Sequence, residues 1–259
     1  MLARRRLTQV AFLGFLAIQV LAWYVMRVHL LGKLSPLAFL STFQTGVITP
    51  ATLFWLGVFI SAAVFGPRYC SHICAWGSFQ DFLAPWAAQL RPSIARPARL
   101  LYGIRYSLLA AIACITLARF VESRPSYLYL RLATPPPLEG LVSPLTLTVV
   151  VLTIIMVRAL GTRAWCRYAC PWGAAIGLFG LLSGYRIRLL AACTGCGVCT
   201  GACPKGVEVA RHIERRERVS SPDCTGCQQC AEACPQMVLG YGREKKGEVP
   251  GAHPGLTGV

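Results

Sequence analysis

Negative charge is what this sequence lacks. Its 259 residues hold ten Asp and Glu against 26 Lys and Arg, and charged residues of both signs make up only 14%. A soluble domain of this size usually carries about a quarter, so the composition excludes an ordinary soluble globule. A glycine-rich nucleotide fingerprint, a Ser–His–Asp arrangement and a flavin motif are also missing, which leaves nucleotide-dependent and hydrolytic chemistry without its usual residues. The net charge of +16 does not point to nucleic acid. The basic residues flank apolar segments, where they mark cytoplasmic loops. No Ala-x-Ala site follows the first apolar run, so Arg4, Arg5 and Arg6 read as a cytoplasmic flank rather than the start of a removed leader.

What is abundant is apolar surface, 55% of residues, and cysteine, 13 of them. Leu7–Met26 is a charge-free run of 20 residues, enough to cross roughly 30 Å of hydrocarbon as a helix. Three more crossings are expected: residues 46–66, Leu100–Phe120 interrupted by Arg105, and Leu141–Val157 beyond the Pro135-Pro136-Pro137 breaker. With the N-terminus inside, the cytoplasmic flanks carry Arg4, Arg5, Arg6, Arg68, Arg91, Arg96, Arg99, Arg158, Arg163, Arg167, Arg186 and Arg188. The outer loops carry only Arg27, Lys33, Arg119, Arg124 and Arg131. That bias supports an N-in topology, in which four spans return the C-terminal region to the cytoplasm.

A duplicated motif sits at the inner end of the second and fourth runs. Tyr69-Cys70, Cys74, Trp76-Gly77 and Trp165-Cys166, Cys170, Trp172-Gly173 share the pattern aromatic-Cys-x3-Cys-x-Trp-Gly. Short apolar runs follow, Ser78–Leu90 and Ala174–Leu182, too short to span and suited to the interface. The expected membrane part is therefore α-helical, with four transmembrane helices arranged as two parallel two-helix repeats, residues 1–90 and 91–190. Cys70, Cys74, Cys166 and Cys170 would converge on one face. They would form either a third metal or cluster site or a pair of redox dithiols; buried, reduced side chains are the plain alternative. Within these regions Arg105 is either an intramembrane functional charge or a side chain snorkelling to the interface. His72 is a proton acceptor, a metal ligand or a hydrogen-bonded loop residue. Cys114 reads as a small hydrophobe, His29 as interfacial and His212 as part of a solvated basic helix.

The most specific signal lies beyond. Cys193-x2-Cys196-x2-Cys199-x3-Cys203-Pro204 and Cys224-x2-Cys227-x2-Cys230-x3-Cys234-Pro235 are two runs of the bacterial ferredoxin spacing. Three closely spaced thiolates reach one 4Fe–4S cube, while the fourth ligates the other. Cys193, Cys196, Cys199 and Cys234 are thus assigned to one cluster, and Cys224, Cys227, Cys230 and Cys203 to the second. Structural zinc more often uses two cysteine pairs than two runs of four. Residues 191–240 are expected to form a small α+β ferredoxin domain, and 241–259, rich in Gly, Pro and Lys, a disordered tail.

In this order, the four runs, the paired Cys motifs and the two ferredoxin runs resemble the NapH/MauN family of ferredoxin-type membrane proteins over roughly residues 4 to 240. One departure is Cys74-Ala75, where the family motif reads Cys-Pro. The resemblance implies a multi-pass protein of the bacterial inner membrane that takes electrons from quinol. It would feed a periplasmic ferredoxin-type or cytochrome c partner, as a component of a quinol dehydrogenase rather than a stand-alone enzyme. The alternative is an assembly factor that reduces metal or thiol groups in a periplasmic or membrane metalloenzyme.

Overall fold

The computed structural model describes residues 2–26, 36–88, 100–123, 129–130 and 144–243. In chain order the helices α1 (Leu2–Met26) and α2 (Pro36–Thr45) come first. They are followed by strand β1 (Val47–Ile48), helix α3 (Pro50–Phe65), the short α4 (Tyr69–His72) and α5 (Ala75–Ala88). The second half repeats the order with α6 (Leu100–Ser123), β2 (Tyr129–Leu130), α7 (Pro144–Leu160), the short α8 (Ala164–Tyr168) and α9 (Pro171–Gly180). The rest holds β3 (Tyr185–Leu189), α10 (Val198–Gly201), α11 (Val209–Glu214), α12 (Gln229–Glu232) and β4 (Leu239–Arg243).

Local chemistry explains where the apolar helices begin and end. Pro50 and Pro144 occupy the first turns of α3 and α7, where a missing N–H costs nothing. Thr49 N–H donates to Thr52 Oγ1 at 3.2 Å in front of α3. Gly66, at φ +85, closes α3, and Tyr241 of the last strand packs so closely there that a Cβ would collide with its hydroxyl. Outward faces stay apolar and exposed, with Leu53, Leu56, Ile60 and Val64 on α3 and Leu147, Val151, Leu152 and Ile155 on α7.

Among the described residues, one helix is long and apolar enough to cross a membrane by length and composition: the Gly103–Glu122 part of α6. Pro50–Phe65 and Leu147–Leu160 are apolar but shorter. The expected second and fourth crossings fall on α3 and α7, which end just before Gly66 and Gly161, both with positive φ.

The two halves interlock. α3 packs on α9, while α5 packs on α7, so each copy's interfacial helix lies on the apolar helix of the other copy. α1 touches α4 and α5 as α6 touches α8 and α9. The parallel pair β1–β2 aligns Val47 with Tyr129 and Ile48 with Leu130. At the centre, Trp55, Val58 and Ala62 of α3 meet Ile176 of α9, flanked by Phe39, Tyr69, Cys70 and Trp172.

The ferredoxin unit is larger than 191–240. β3 and β4 form an antiparallel ladder from Tyr185↔Arg243 to Leu189↔Leu239, which takes residues 185–190 from the second repeat and 241–243 from the tail. The remaining tail, 244–259, and His29 lie outside the described residues. Ile187, Leu189, Val207, Val209, Ile213, Val219, Val238 and Leu239 form the core of this unit together with Cys199 and Cys230. The basic face of α11 is solvated at Arg211, while its other face buries Ile213 in this core.

Candidate functional site

The two cysteine runs adopt the same backbone. Gly195 and Gly226, Gly197 and Gln228, and Gly206 and Met237 are matched positions, all with positive φ. These left-handed steps bend each loop around its sulfurs. One cavity of about 470 Å³ is lined by Cys193, Cys196, Cys199 and Cys234, with Leu189, Ile213 and Leu239 as its apolar wall. A second, narrower cavity is lined by Cys203, Cys224, Cys227 and Cys230, with Ile187, Val207 and Val219. Each thus gathers three cysteines of one run and the fourth of the other. Gly195 N–H donates to Cys193 Sγ at 3.4 Å, the kind of bond that supports a thiolate ligand. Burial pushes the Cys224 thiol up to about 11 and raises Cys230 too, with the neighbouring Cys227 adding to the effect in both. Thiols gathered in groups of four, two of them buried and Cys193 with an N–H donor, suit a 4Fe–4S cluster, whose iron replaces the protons.

The membrane-edge motifs come together against the inner of these two cavities. Cys70 lies in α4, Cys74 just past it, Cys166 in α8 and Cys170 at the start of α9. Cys70, Cys74 and Cys170 each feel the charge of other sulfurs in the group, Cys166 among them. Gln80 Nε2 donates to Cys166 Sγ at 3.0 Å, and Gly173 N–H donates to Cys170 Sγ at 3.3 Å. Burial, then mutual repulsion, pushes the thiols of Cys70 and Cys74 above their ordinary range. Among the described residues, no three His, Cys, Asp or Glu approach closely enough to share a single metal ion.

The ferredoxin unit docks on these motifs through its inner run. Ser71 Oγ, between Cys70 and Cys74, donates to the Thr225 carbonyl at 3.0 Å, and Thr225 lies between the ligand candidates Cys224 and Cys227. Lys205, two residues beyond Cys203, is buried and donates to the Cys166 carbonyl. Gly177 of α9 abuts the Pro222 carbonyl so closely that a Cβ would clash with it. Tyr241 OH donates to Phe65 O at 2.7 Å, and Arg68 stacks 3.9 Å above the Tyr241 ring.

A buried charge network supports the same junction. Asp81 on α5 receives Arg163 Nε at 2.7 Å, Arg163 Nη2 at 2.6 Å and Gln9 Nε2 at 2.8 Å, and it also pairs with Arg5. Arg5 and Gln9 further donate to the Ser71 carbonyl, each at 3.0 Å. Arg105 neither snorkels nor stands alone: it is 1% exposed and ion-paired with Asp223 of the ferredoxin unit. The His72 ring stands 2.7 Å from Ser71 Oγ and 3.2 Å from Arg68 O, as a hydrogen-bonded loop histidine does. Burial and the nearby Arg5, Arg68 and Arg163 hold its pKa below the ordinary value. Cys114 is exposed on α6 and His212 sits on α11. Lys205, Asp81, Arg163 and Asp223 carry no spacing signal; the one clue available was that each is an isolated charge next to a cysteine motif.

An apolar cavity of about 780 Å³ lies between α2, α3, α6 and α9. Phe39, Phe59, Ala113 and Phe120 line it together with Pro171 and Trp172, the two residues that follow Cys170.

Known proteins resemble these parts. A family described as a 4Fe-4S dicluster domain matches residues 186–235. A family described as a 4Fe-4S binding domain matches twice, at 47–92 and 142–189, one match on each membrane-edge motif. The methylamine utilization ferredoxin-type protein MauN of Paracoccus denitrificans is 28% identical over 222 residues, 78% of this chain and 75% of that protein. A candidate electron transport protein of Escherichia coli K12, YccM, is 41% identical over 73 residues, 27% of this chain. The chain spans only 20% of YccM's length. No solved structure matches.

Proposed function

The chain belongs to the MauN/NapH-like ferredoxin-type family, and from that premise we propose that it links the quinone pool of a bacterial inner membrane to a periplasmic redox partner. Electron transport through 4Fe–4S ferredoxin-type domains is common ground with its relatives; the quinol, the partner and a four-crossing, N-in placement are our reading. Cys193, Cys196, Cys199 and Cys234 would hold one cluster, and Cys203, Cys224, Cys227 and Cys230 the other. Each cluster supplies one-electron uptake and release when bound. Oxidising a quinol to a quinone gives up two electrons and two protons.

The observation that carries the reading is the apolar cavity whose lining includes Pro171 and Trp172, next in sequence to Cys170. A quinone dissolves in hydrocarbon, and an aromatic-lined pocket that reaches a cysteine motif suits an isoprenoid tail and a flat ring. The exposed apolar faces of α3 and α7 support a lipid setting.

The test uses full-length protein in lipid under argon. Quinone is added to dithionite-reduced protein and quinol to oxidised protein, and cluster signals are followed by EPR. Exchange in at least one direction is expected. Filling the cavity by Ala113→Phe should slow it at least tenfold with iron content unchanged. Intact clusters that exchange with neither form would reject the quinone role.

A further inference from the structure

A second recess on α3 has a polar end that electron transfer does not use. It runs over α3 beside α4 with a volume of about 400 Å³, and Leu53, Phe54, Gly57, Ser61, Phe65 and Arg68 are among the residues that line it. From Leu53 to Phe65 the groove follows α3 for about 18 Å along the helix axis. Leu53 and Phe65 are exposed. Gly57 leaves a notch between them, since a Cβ there would stand in open space. Tyr69 of α4 forms the facing wall, its ring 5.9 Å from Phe54 and 5.6 Å from Trp55.

The Gly66 end of the groove is different in kind. There the half-buried Arg68 lays its guanidinium 3.9 Å above the Tyr241 ring. Stacking uses the face of a guanidinium and leaves its N–H edge to donate, and Arg68 Nε has no acceptor among the described residues. The last carbonyls of α3 do not call on it. Val64 O accepts from Ser183 Oγ at 3.0 Å and Phe65 O from Tyr241 OH at 2.7 Å. Arg186, buried with its Nη2 on the Gly180 carbonyl, is a second cation acting on Tyr241. No Asp or Glu pairs with Arg68 or Arg186 among the described residues. The chain has ten acidic residues for 26 basic ones, so the anion that complements this end comes from outside the protein.

We propose that the groove is a binding site for one anionic phospholipid, with an acyl chain along Leu53, Gly57 and Ser61 and the phosphate at the Arg68 guanidinium. The proposal rests on the reading that α3 lies in a bilayer, and not on the quinone or on any cluster. An apolar length ending in a basic pocket suits a lipid tail ending in a negative headgroup. A free phosphate would leave the apolar length unused, and a zwitterionic lipid would bring its own cation toward Arg68 and Arg186. The larger cavity on another face of α3 has no charged residue in its lining, so the two recesses select different occupants. Because Arg68 stacks on Tyr241, the bound lipid lies at the seam between the apolar helices and the ferredoxin unit.

The test is native mass spectrometry of full-length protein extracted from membranes in mild detergent and titrated with phosphatidylglycerol or phosphatidylcholine of matched chains. One retained phosphatidylglycerol is expected, held roughly tenfold more tightly than phosphatidylcholine, the worth of a charge-assisted hydrogen bond. Arg68→Gln should bring the two lipids within roughly twofold of each other, and Arg68→Lys should keep most of the preference. Gly57→Leu fills the notch without meeting protein and improves helix propensity, so it should fold and release the lipid. Glycerol phosphate alone should not compete. Iron content, measured in every variant, should stay at the native value and so report an intact fold. Equal retention of the two lipids by the native protein, or a preference that survives Arg68→Gln, would overturn the proposal. Competition by glycerol phosphate, or a quinone in place of the lipid that Gly57→Leu displaces, would overturn it too. If Arg68→Gln fails to fold, Gly57→Leu decides alone, and tight phosphatidylglycerol kept by that folded variant rejects the site. Recovery of the protein in the soluble fraction of lysed cells would instead reject the bilayer reading beneath it.

Discussion

The two cavities of the ferredoxin unit arise from one spacing and end in different surroundings. In the outer one, Cys193 and Cys196 are exposed, and the cavity is the roomier of the two. In the inner one, Cys230 is buried, Cys224 and Cys227 are partly so, and Thr225 and Lys205 lean on the membrane-edge motifs. Identical ligand spacing therefore does not make equivalent sites. Exposure and nearby charge set a cluster's potential, and here the inner site abuts the paired Cys motifs while the outer one opens to solution.

The largest effect should come from breaking the crossover itself. Cys203→Ser is expected to abolish the cluster held with Cys224, Cys227 and Cys230, and Cys234→Ser the one held with Cys193, Cys196 and Cys199. EPR of each variant would show one surviving spectrum, and the surviving one should differ between the two. If each change removed the cluster of its own run, the two cavities would not be ligand sets.

Next in size is the support beneath the inner site. Asp81→Asn leaves Arg5 and Arg163 facing each other without a carboxylate. A loss of roughly 3 kcal/mol is expected, the low end for a broken buried pair because Asp81 keeps some contact with solvent. Denaturant unfolding in detergent would measure it. The outer cluster's spectrum should be unaffected in the folded protein. Burial alone would raise the Asp81 carboxyl, but the hydrogen bonds and charge of Arg163, with Arg5 and Gln9, hold it below the ordinary value. A folded pKa below the unfolded one gives stability that is complete above the unfolded value. It disappears as pH falls through the folded value, so native protein should lose this contribution below about pH 4 and Asp81→Asn should not.

Gly177→Ala is a smaller wedge. Its methyl group would press on the Pro222 carbonyl, at a cost of about 1–3 kcal/mol. The expected result is faster proteolysis around residues 219–223 with both cysteine runs still loaded. Smallest is Tyr241→Phe, which removes the bond to the Phe65 carbonyl but keeps the ring under Arg68. A change of about 1 kcal/mol in unfolding is expected; a change several times larger would mean that this contact holds the two units together by itself.

The two halves of the molecule also differ in how much the sequence discloses. Two runs of Cys-x2-Cys-x2-Cys-x3-Cys-Pro write the ferredoxin loops in local spacing, so the ligand candidates and their pairing were readable before any fold. The duplication put Cys70 and Cys74 on the same face as Cys166 and Cys170, but their meeting depends on the packing of α3 on α9 and α5 on α7. Helix ends were less legible: hydropathy ran through 46–66, but Thr49, Pro50 and Gly66 confine α3 to 16 residues. Strand β3 was hidden because Tyr185–Leu189 alternates two arginines with apolar residues and reads as a basic flank. The charge network was not legible at all. Asp81 finds Arg5 across 76 positions and Arg163 across 82, and no periodicity links residues that only tertiary packing brings together.

The exchange of helices between the two copies bears on how the protein is made. α3 finishes its packing on α9 and α5 on α7, so the first copy leaves the ribosome with its apolar flank and two of its thiols unpartnered. It stays so until residues 144–180 have been synthesised, and Lys205 arrives later still. Any metal needing all four membrane-edge sulfurs can be delivered only to a nearly finished chain. A truncated product would present two cysteines and an uncovered apolar face.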